Sequence, residues 1–134
     1  MSLSGSVEDR LQIHELYGRY ASTGSRGYRE GWLACWAEDA AWVSHIFECV
    51  GKAAIAKQYD AIMAAFDKLS FISQTGPIEI MGEAAHGQST AMEIGRLKAG
   101  GVFKLTGNYV DKLEKRGGQW RFVRRDYQPL VQDF

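Results

Sequence analysis

Six tyrosines, Tyr17, Tyr20, Tyr28, Tyr59, Tyr109 and Tyr127, are the side chains of this 134-residue sequence most suited to chemistry on a small molecule. A phenol combines an apolar ring with one hydroxyl. A pocket lined by several of them therefore fits a ligand with an apolar skeleton and one or two carbonyl or hydroxyl groups. Phenolic donors also stabilise an enolate oxygen. The same rings serve equally well as core packing with satisfied hydroxyls, so each needs a position before it has a role. Strand alternation supplies one: Phe103, Leu105, Gly107, Tyr109 and Asp111 share a face opposite Lys104, Thr106, Asn108 and Lys112, which turns Tyr109 inward.

Other chemistries have less support. His14, His45 and His86 are scattered, and Cys35 and Cys49 lack Cys-x-x-Cys spacing, so neither a metal nor any other cofactor is expected. His14 lies off the apolar stripe of its helix, His86 falls in a turn, and His45 faces away from Trp42 as a rim or interface residue. Unpaired cysteines also fit a reducing cytoplasm. Sixteen basic and sixteen acidic residues cancel, leaving no net field for nucleic acid or an anionic membrane. The basic cluster Lys112, Lys115, Arg116, Arg121, Arg124, Arg125 is diluted by Asp111, Glu114 and Asp126 and reads as a solvated hairpin. Neither a membrane-spanning apolar run nor a secretory leader pattern is present, so a soluble, non-exported protein is expected.

The elements that must position these groups follow from periodicity. Ser6 and Asp9 have capping-box spacing, and Ile13, Leu16, Tyr17 and Tyr20 then form one stripe, which predicts a first helix from about Ser6 to Ser22, broken by Gly24, Ser25 and Gly27. Tyr28, Trp32, Cys35 and Trp36 predict a short second helix ending at Glu38-Asp39. Ala40 to Phe47 reads as a strand, and Ile55, Tyr59, Ile62, Met63 and Phe66 predict a third helix over Lys52 to Asp67. Strands are then expected at Phe71–Ser73, Pro77–Met81 and Gln88–Leu97, followed by a hairpin from Gly107 to Tyr127 around Gly117-Gly118. Helices first and strands later make one α+β domain, residues 4–134, with three helices packed on a strongly curved, mostly antiparallel sheet whose concave side leaves a pocket.

With Ile13 to Ala21, Trp36 to Trp42, the Gly51-to-Ile55 helix start and the closing hairpin through Trp120-Arg121-Phe122, the layout resembles the SnoaL-like group of the nuclear transport factor two superfamily. That is the cone-shaped fold of scytalone dehydratase, ketosteroid isomerase and several polyketide cyclases. The resemblance implies a small-molecule ligand and, in the dehydratase and dehydrochlorinase branches, a carboxylate at the end of helix one orienting a proton-abstracting histidine on the strand after helix three. Those positions here look to be Ser25 and Ser70, and serine without a neighbouring base does not replace an imidazole.

The resemblance further implies that Trp42, Ala91, Glu93, Tyr109 and Arg125 line the pocket, with Tyr20 entering from helix one. The expected catalytic set is Glu93, Arg125 and Tyr109. The expected ligand-binding set is Tyr20, Ser25, Trp42, Tyr59, Ser70, Ala91, Leu105 and Tyr127. An inward Glu93 is a desolvated carboxyl suited to proton transfer, and Arg125 is the cation that opposes its desolvation. Alternation alone prefers Met92 and Ile94 inside, which sends Glu93 and Arg125 to solvent, and the sequence leaves both orientations open. Parity also sets Trp120 and Phe122 opposite Arg125. Either the arginine is inside and the two aromatics lie on the outer sheet face as a homodimer surface, or the aromatics are core and the arginine is outside. Two further readings stand beside the lyase or isomerase: a ligand-binding domain without catalysis, and an accessory subunit like the small subunit of a ring-hydroxylating dioxygenase.

Overall fold

Ser6 caps the first helix, α1 (Val7–Arg26), by accepting a hydrogen bond from the Asp9 backbone N–H at 3.0 Å, with Glu8 and Asp9 in the dipole-favoured first turn. The computed structural model describes residues 2–132. α1 runs four residues past Ser22 because Gly27, at φ 70°, supplies the left-handed cap. Gly24 does not break the helix. It lies where a Cβ would press on the Phe71 and Trp32 rings, so it is a point of close approach. The Asp9 carboxylate accepts from the Trp120 indole at 2.9 Å and from Lys115 at 3.0 Å, fixing one end of α1 to the sheet. At the other end the Ser25 hydroxyl accepts from the Phe71 N–H at 2.8 Å and donates to the Phe71 carbonyl at 3.2 Å.

The second helix, α2, is one short turn and a half, Arg29–Leu33. Trp36, expected to end it, instead starts β1 (Trp36–Val43), fully buried and paired in parallel with Phe122. Ser44 to Phe47 is a turn rather than strand, closed by Ser44 N–H to the Phe47 carbonyl at 2.9 Å, and it leads to the short β2 (Glu48–Val50). α3 covers Lys52–Ala64, and Phe66 already belongs to β3 (Phe66–Met81), a single bulged strand that includes both expected short ones. β4 (Ala84–Leu97), β5 (Val102–Arg116) and β6 (Gln119–Gln132) complete a six-stranded sheet ordered β2-β1-β6-β5-β4-β3, antiparallel except for β1 beside β6. Gly117 and Gly118, at φ 58° and 77°, make the final turn.

The class is the expected α+β with three helices. The core is unusually aromatic: Trp32, Trp36, Trp42, Tyr20, Tyr59 and Phe122 are in ring contact, with Trp32 and Tyr59 stacked at 4.4 Å. Removing each such ring from water stabilises the fold by about 2–3 kcal/mol.

A register shift in β6 corrects the two mutually exclusive orientations. Leu113 pairs with Phe122 and Lys112 with Arg124, so Val123 is an extra residue, a β-bulge. Alternation restarts there, and Trp120 (5 % exposed), Phe122 (0 %) and Arg125 (1 %) all point to the concave side. The two aromatics are therefore core, and the outer-face surface argued from them does not exist.

Candidate active site

β4 explains how the site acquires its carboxyl. Its concave face carries small residues, Ala85, Gly87, Ser89, Ala91 and Gly95, where larger neighbours fill the space: Tyr17 of α1 and Leu113 of β5 over Gly87, Arg125 of β6 on Ser89, and Phe66 and Leu69 of β3 over Gly95. In that same alternation Glu93 points inward, opposite Phe71 on β3 and Leu105 on β5, while Ile94 is turned to the outer face. The hydrophobic-inside rule misleads here because the outer face of this sheet, uncovered by helices, is where Met92 and Ile94 sit.

Glu93 borders a cavity of about 310 Å³ between the sheet, the end of α3 and the Ser44–Phe47 turn. Its apolar wall includes Phe47, Ile62, Phe66, Phe103 and Leu105; its polar groups are Ser44, His45, Tyr109, Tyr127, the Trp42 indole and Glu93 itself. An inner lobe of about 30 Å³, enough for one water, shares Trp42, Ile62, Glu93 and Tyr109 and adds Tyr20, Tyr59 and Phe71. Larger grooves of about 510 and 820 Å³ lie elsewhere, lined in large part by solvated polar and charged residues such as Glu8, Glu15 and Glu79.

Among the described residues Glu93 makes no hydrogen bond or ion pair, and burial raises its carboxyl from 4.5 to about 7. Three buried polar groups around it are also without a partner: the Trp42 indole N–H, the Tyr59 hydroxyl and the Tyr127 hydroxyl. An unpaired buried donor destabilises by about 1–3 kcal/mol, so such a cluster is usually maintained for what binds there. Burial raises the Tyr20, Tyr59, Tyr109 and Tyr127 phenols, holding all four protonated as donors.

Arg125 does not serve Glu93. Its guanidinium pairs with Asp111 through Nε–Oδ1 at 2.8 Å and Nη2–Oδ2 at 3.1 Å, and also donates to Ser89 Oγ at 3.1 Å. Tyr17 donates to Asp111 Oδ2 at 2.6 Å. The cation lies against Tyr109 at 3.8 Å, Phe122 at 4.3 Å and Tyr20 at 4.4 Å, outside the cavity lining. Burial opposes its charge, and the Asp111 carboxylate together with Tyr20 and Tyr109 more than offsets that, keeping it protonated.

Of the other expected positions, Tyr20, Trp42, Tyr59, Leu105, Tyr109 and Tyr127 border one lobe or the other. Ser25 and Ser70 do not: they edge a separate depression with Lys68 and Arg96, Ser25 bound to the Phe71 backbone and Ser70 exposed. The inward neighbour is Phe71, as the pattern Leu69-Ser70-Phe71 would have indicated by parity. Ala91 is half-buried beside Gly107 and lines neither lobe. His45 is exposed at the mouth. Phe47, Phe66, Leu97 and Phe103 also line the cavity, beyond the expected set: Phe103 shares the inward face that alternation gives Tyr109, Phe66, expected at the end of the third helix, instead starts β3, and Phe47 and Leu97 come from a turn and a strand end where periodicity carries little signal. Among the described residues no three His, Cys, Asp or Glu side chains gather as a metal site.

Gly107 is a sensitive point of this wall. A Cβ there would collide with the Tyr127 ring, which leans across the strand to reach the cavity. Gly107→Ala is expected to destabilise by about 1–3 kcal/mol through overpacking and to push the Tyr127 hydroxyl away from Glu93. Urea unfolding checks the first effect, and a Tyr127 ring that gives unchanged NMR contacts would refute the second.

The SnoaL-like domain family model matches residues 5–126. Solved structures with the same fold include a protein assigned as a scytalone dehydratase from Novosphingobium aromaticivorans, 22% identical, TM-score 0.87, covering 94% of this chain and 87% of that one. A LinA-type3 hexachlorocyclohexane dehydrochlorinase from Novosphingobium barchaimii is 15% identical, TM-score 0.85, covering 94% and 89%. A Mycobacterium tuberculosis protein of unknown function is 27% identical, TM-score 0.81, covering 94% and 76%. A search of curated proteins finds no match. No helix among the described residues is long and apolar enough to cross a membrane.

Proposed function

Because this chain belongs to the SnoaL-like domain family, of the nuclear transport factor two superfamily, we propose that it binds a small, mostly apolar metabolite and performs cofactor-independent proton-transfer chemistry on it. Isomerisation, dehydration or cyclisation of a polyketide, terpenoid, steroid or aromatic intermediate is the class. The observation that carries this reading is the unpartnered Glu93 carboxyl, titrating at about 7, in an apolar cavity whose free polar groups can all donate.

The chemistry follows from the donors. Trp42 can only donate, so a ligand that satisfies it brings an acceptor, such as a carbonyl oxygen. Glu93, about half ionised near pH 7, takes a proton from the carbon next to that carbonyl. The electron pair moves to the oxygen, where Trp42, Tyr59 or Tyr127 stabilises it, and the proton returns at another carbon or leaves with a hydroxyl. The solved dehydrochlorinase and dehydratase-like structures of the same fold support lyase chemistry as the general type.

The test is exchange in D₂O. Cyclic ketones and enones that quench Trp42 fluorescence are incubated with the protein and followed by ¹H NMR. Loss of the signal alpha to the carbonyl supports the reading, and a bound ketone that keeps its protons over days refutes it. That second outcome would favour a binding domain without catalysis, a reading supported by the Ser25 hydroxyl being committed to Phe71 and by Ser70 facing solvent.

The two buried free thiols, Cys35 and Cys49, support a cytoplasmic setting. A homodimer through the outer sheet face remains part of the proposal on different residues. Ile72, Met92, Thr106 and Val131 form one cross-strand row there, with Ile72 56% and Val131 50% exposed. Light scattering should give twice 15.0 kDa, and the monomer mass would remove this element.

A further inference from the structure

Glu93 and Arg125 are separated by a single layer of rings. Arg125 stacks on Tyr109 at 3.8 Å and on Tyr20 at 4.4 Å, and the same two residues line the inner lobe with Glu93. Both phenols respond to the guanidinium and to the Glu93 carboxylate together.

Behind it, Asp111 sits directly across the strands from Arg125 and holds it in a two-point pair, with Tyr17 donating to the Oδ2 carboxylate oxygen and the Arg125 Nη2 donating to Ser89 Oγ as well. The pair is net neutral. It therefore presents Glu93 with a much weaker field than a lone guanidinium at the same place would, and the unpaired cation would favour the carboxylate and lower its midpoint.

We propose that Asp111 is a positioning residue for the cavity carboxyl: by pinning and neutralising Arg125 behind the Tyr20–Tyr109 layer, it keeps that cation from claiming Glu93 and leaves Glu93 free to exchange a proton at neutral pH. The inference rests on the reading of Glu93 as the proton-transfer group. Its test needs no substrate, so failure to turn over any ketone would undo that reading without moving the titration, and the two failures are distinguishable.

The remaining titratable groups around Glu93 are Tyr20 from α1, Tyr59 from α3, Tyr109 from β5, Tyr127 from β6 and the exposed His45 at the mouth; β1, α2 and β3 contribute the neutral Trp42, Trp32 and Phe71. Burial keeps the four phenols protonated across the range of interest. His45 is followed separately by its own imidazole signals.

The experiment is carboxyl ¹³C NMR titration of Glu93 in the whole protein, assigned by its disappearance in Glu93→Gln. In Asp111→Asn the midpoint should fall by about one pH unit or more, since an unpaired cation favours the carboxylate. In Asp111→Asn/Arg125→Met, which removes both charges, it should stay within about half a unit of the parent. An unchanged midpoint in folded Asp111→Asn overturns the proposal. Should that variant fail to fold, the double variant decides alone: a midpoint displaced by one unit or more would mean that Arg125 reaches Glu93 even while paired, which also overturns it, and an unmoved midpoint sustains it.

Discussion

Glu93→Gln is expected to abolish proton transfer while making the protein more stable at alkaline pH, a combination that a solvent-exposed glutamate would not give. Loss of a positioned general base lowers turnover by about 10²–10⁴-fold, and the D₂O exchange assay reads that loss. The stability effect follows from the carboxyl being raised from 4.5 to about 7 by burial. Below the unfolded value both states are protonated and glutamate behaves as glutamine does. Between the two values the unfolded chain has released its proton and the folded chain has not, so stability declines as pH rises, and the decline is complete once pH passes the folded value. The full difference is on the order of 3 kcal/mol. Urea unfolding of parent and variant should therefore coincide near pH 4 and diverge by pH 8, with the variant ahead. Parallel curves at both pH values would show that Glu93 is not desolvated.

Arg125→Met should be the most destabilising single substitution in the site, by about 3–5 kcal/mol, because it strands the fully buried Asp111 without its cation. Hydrophobic replacement of both ions is a different matter. Buried pairs are often exchanged for well-packed neutral residues with little loss, so adding Asp111→Asn to Arg125→Met should recover most of the stability. The double-mutant cycle, measured by denaturant midpoints at constant pH, separates the strength of the pair from the penalty of breaking it. Equal losses in the single and double variants would mean that ring packing around the guanidinium, rather than its charge, is what holds Arg125 in place.

How far the sequence carried depends on the kind of signal each element offers. α1 and α3 were legible because Ile13, Leu16, Tyr17 and Tyr20, and Ile55 and Tyr59, recur at helical spacing and do line the core. The hairpin was legible because Gly117-Gly118 names its own turn, and the inward face of β5 was legible because its alternation is unbroken from Leu105 to Leu113. Trp36 was misplaced because an aromatic at the junction of a helical stripe and a strand satisfies both periods. Glu93 was ambiguous because one polar residue among apolar neighbours can only be oriented by knowing which face of the sheet is covered. The relation between Arg125 and Asp111 was hidden for a different reason. A register shift is set by backbone pairing between strands, and nothing in a single strand's composition announces where the extra residue falls.

The Val123 bulge divides β6 into two segments in opposite phase. Trp120 and Phe122 precede the phase change and belong to the aromatic core; Arg125 and Tyr127 follow it and belong to the buried ion pair and the cavity. One strand thus carries two independent instructions, one for holding the sheet to its helices and one for furnishing the pocket. Were alternation to run on from Phe122 without that offset, Arg124 and Asp126 would face inward in place of Arg125 and Tyr127, so the chemistry of this cavity depends on where a strand carries one extra residue as much as on the residues it contains.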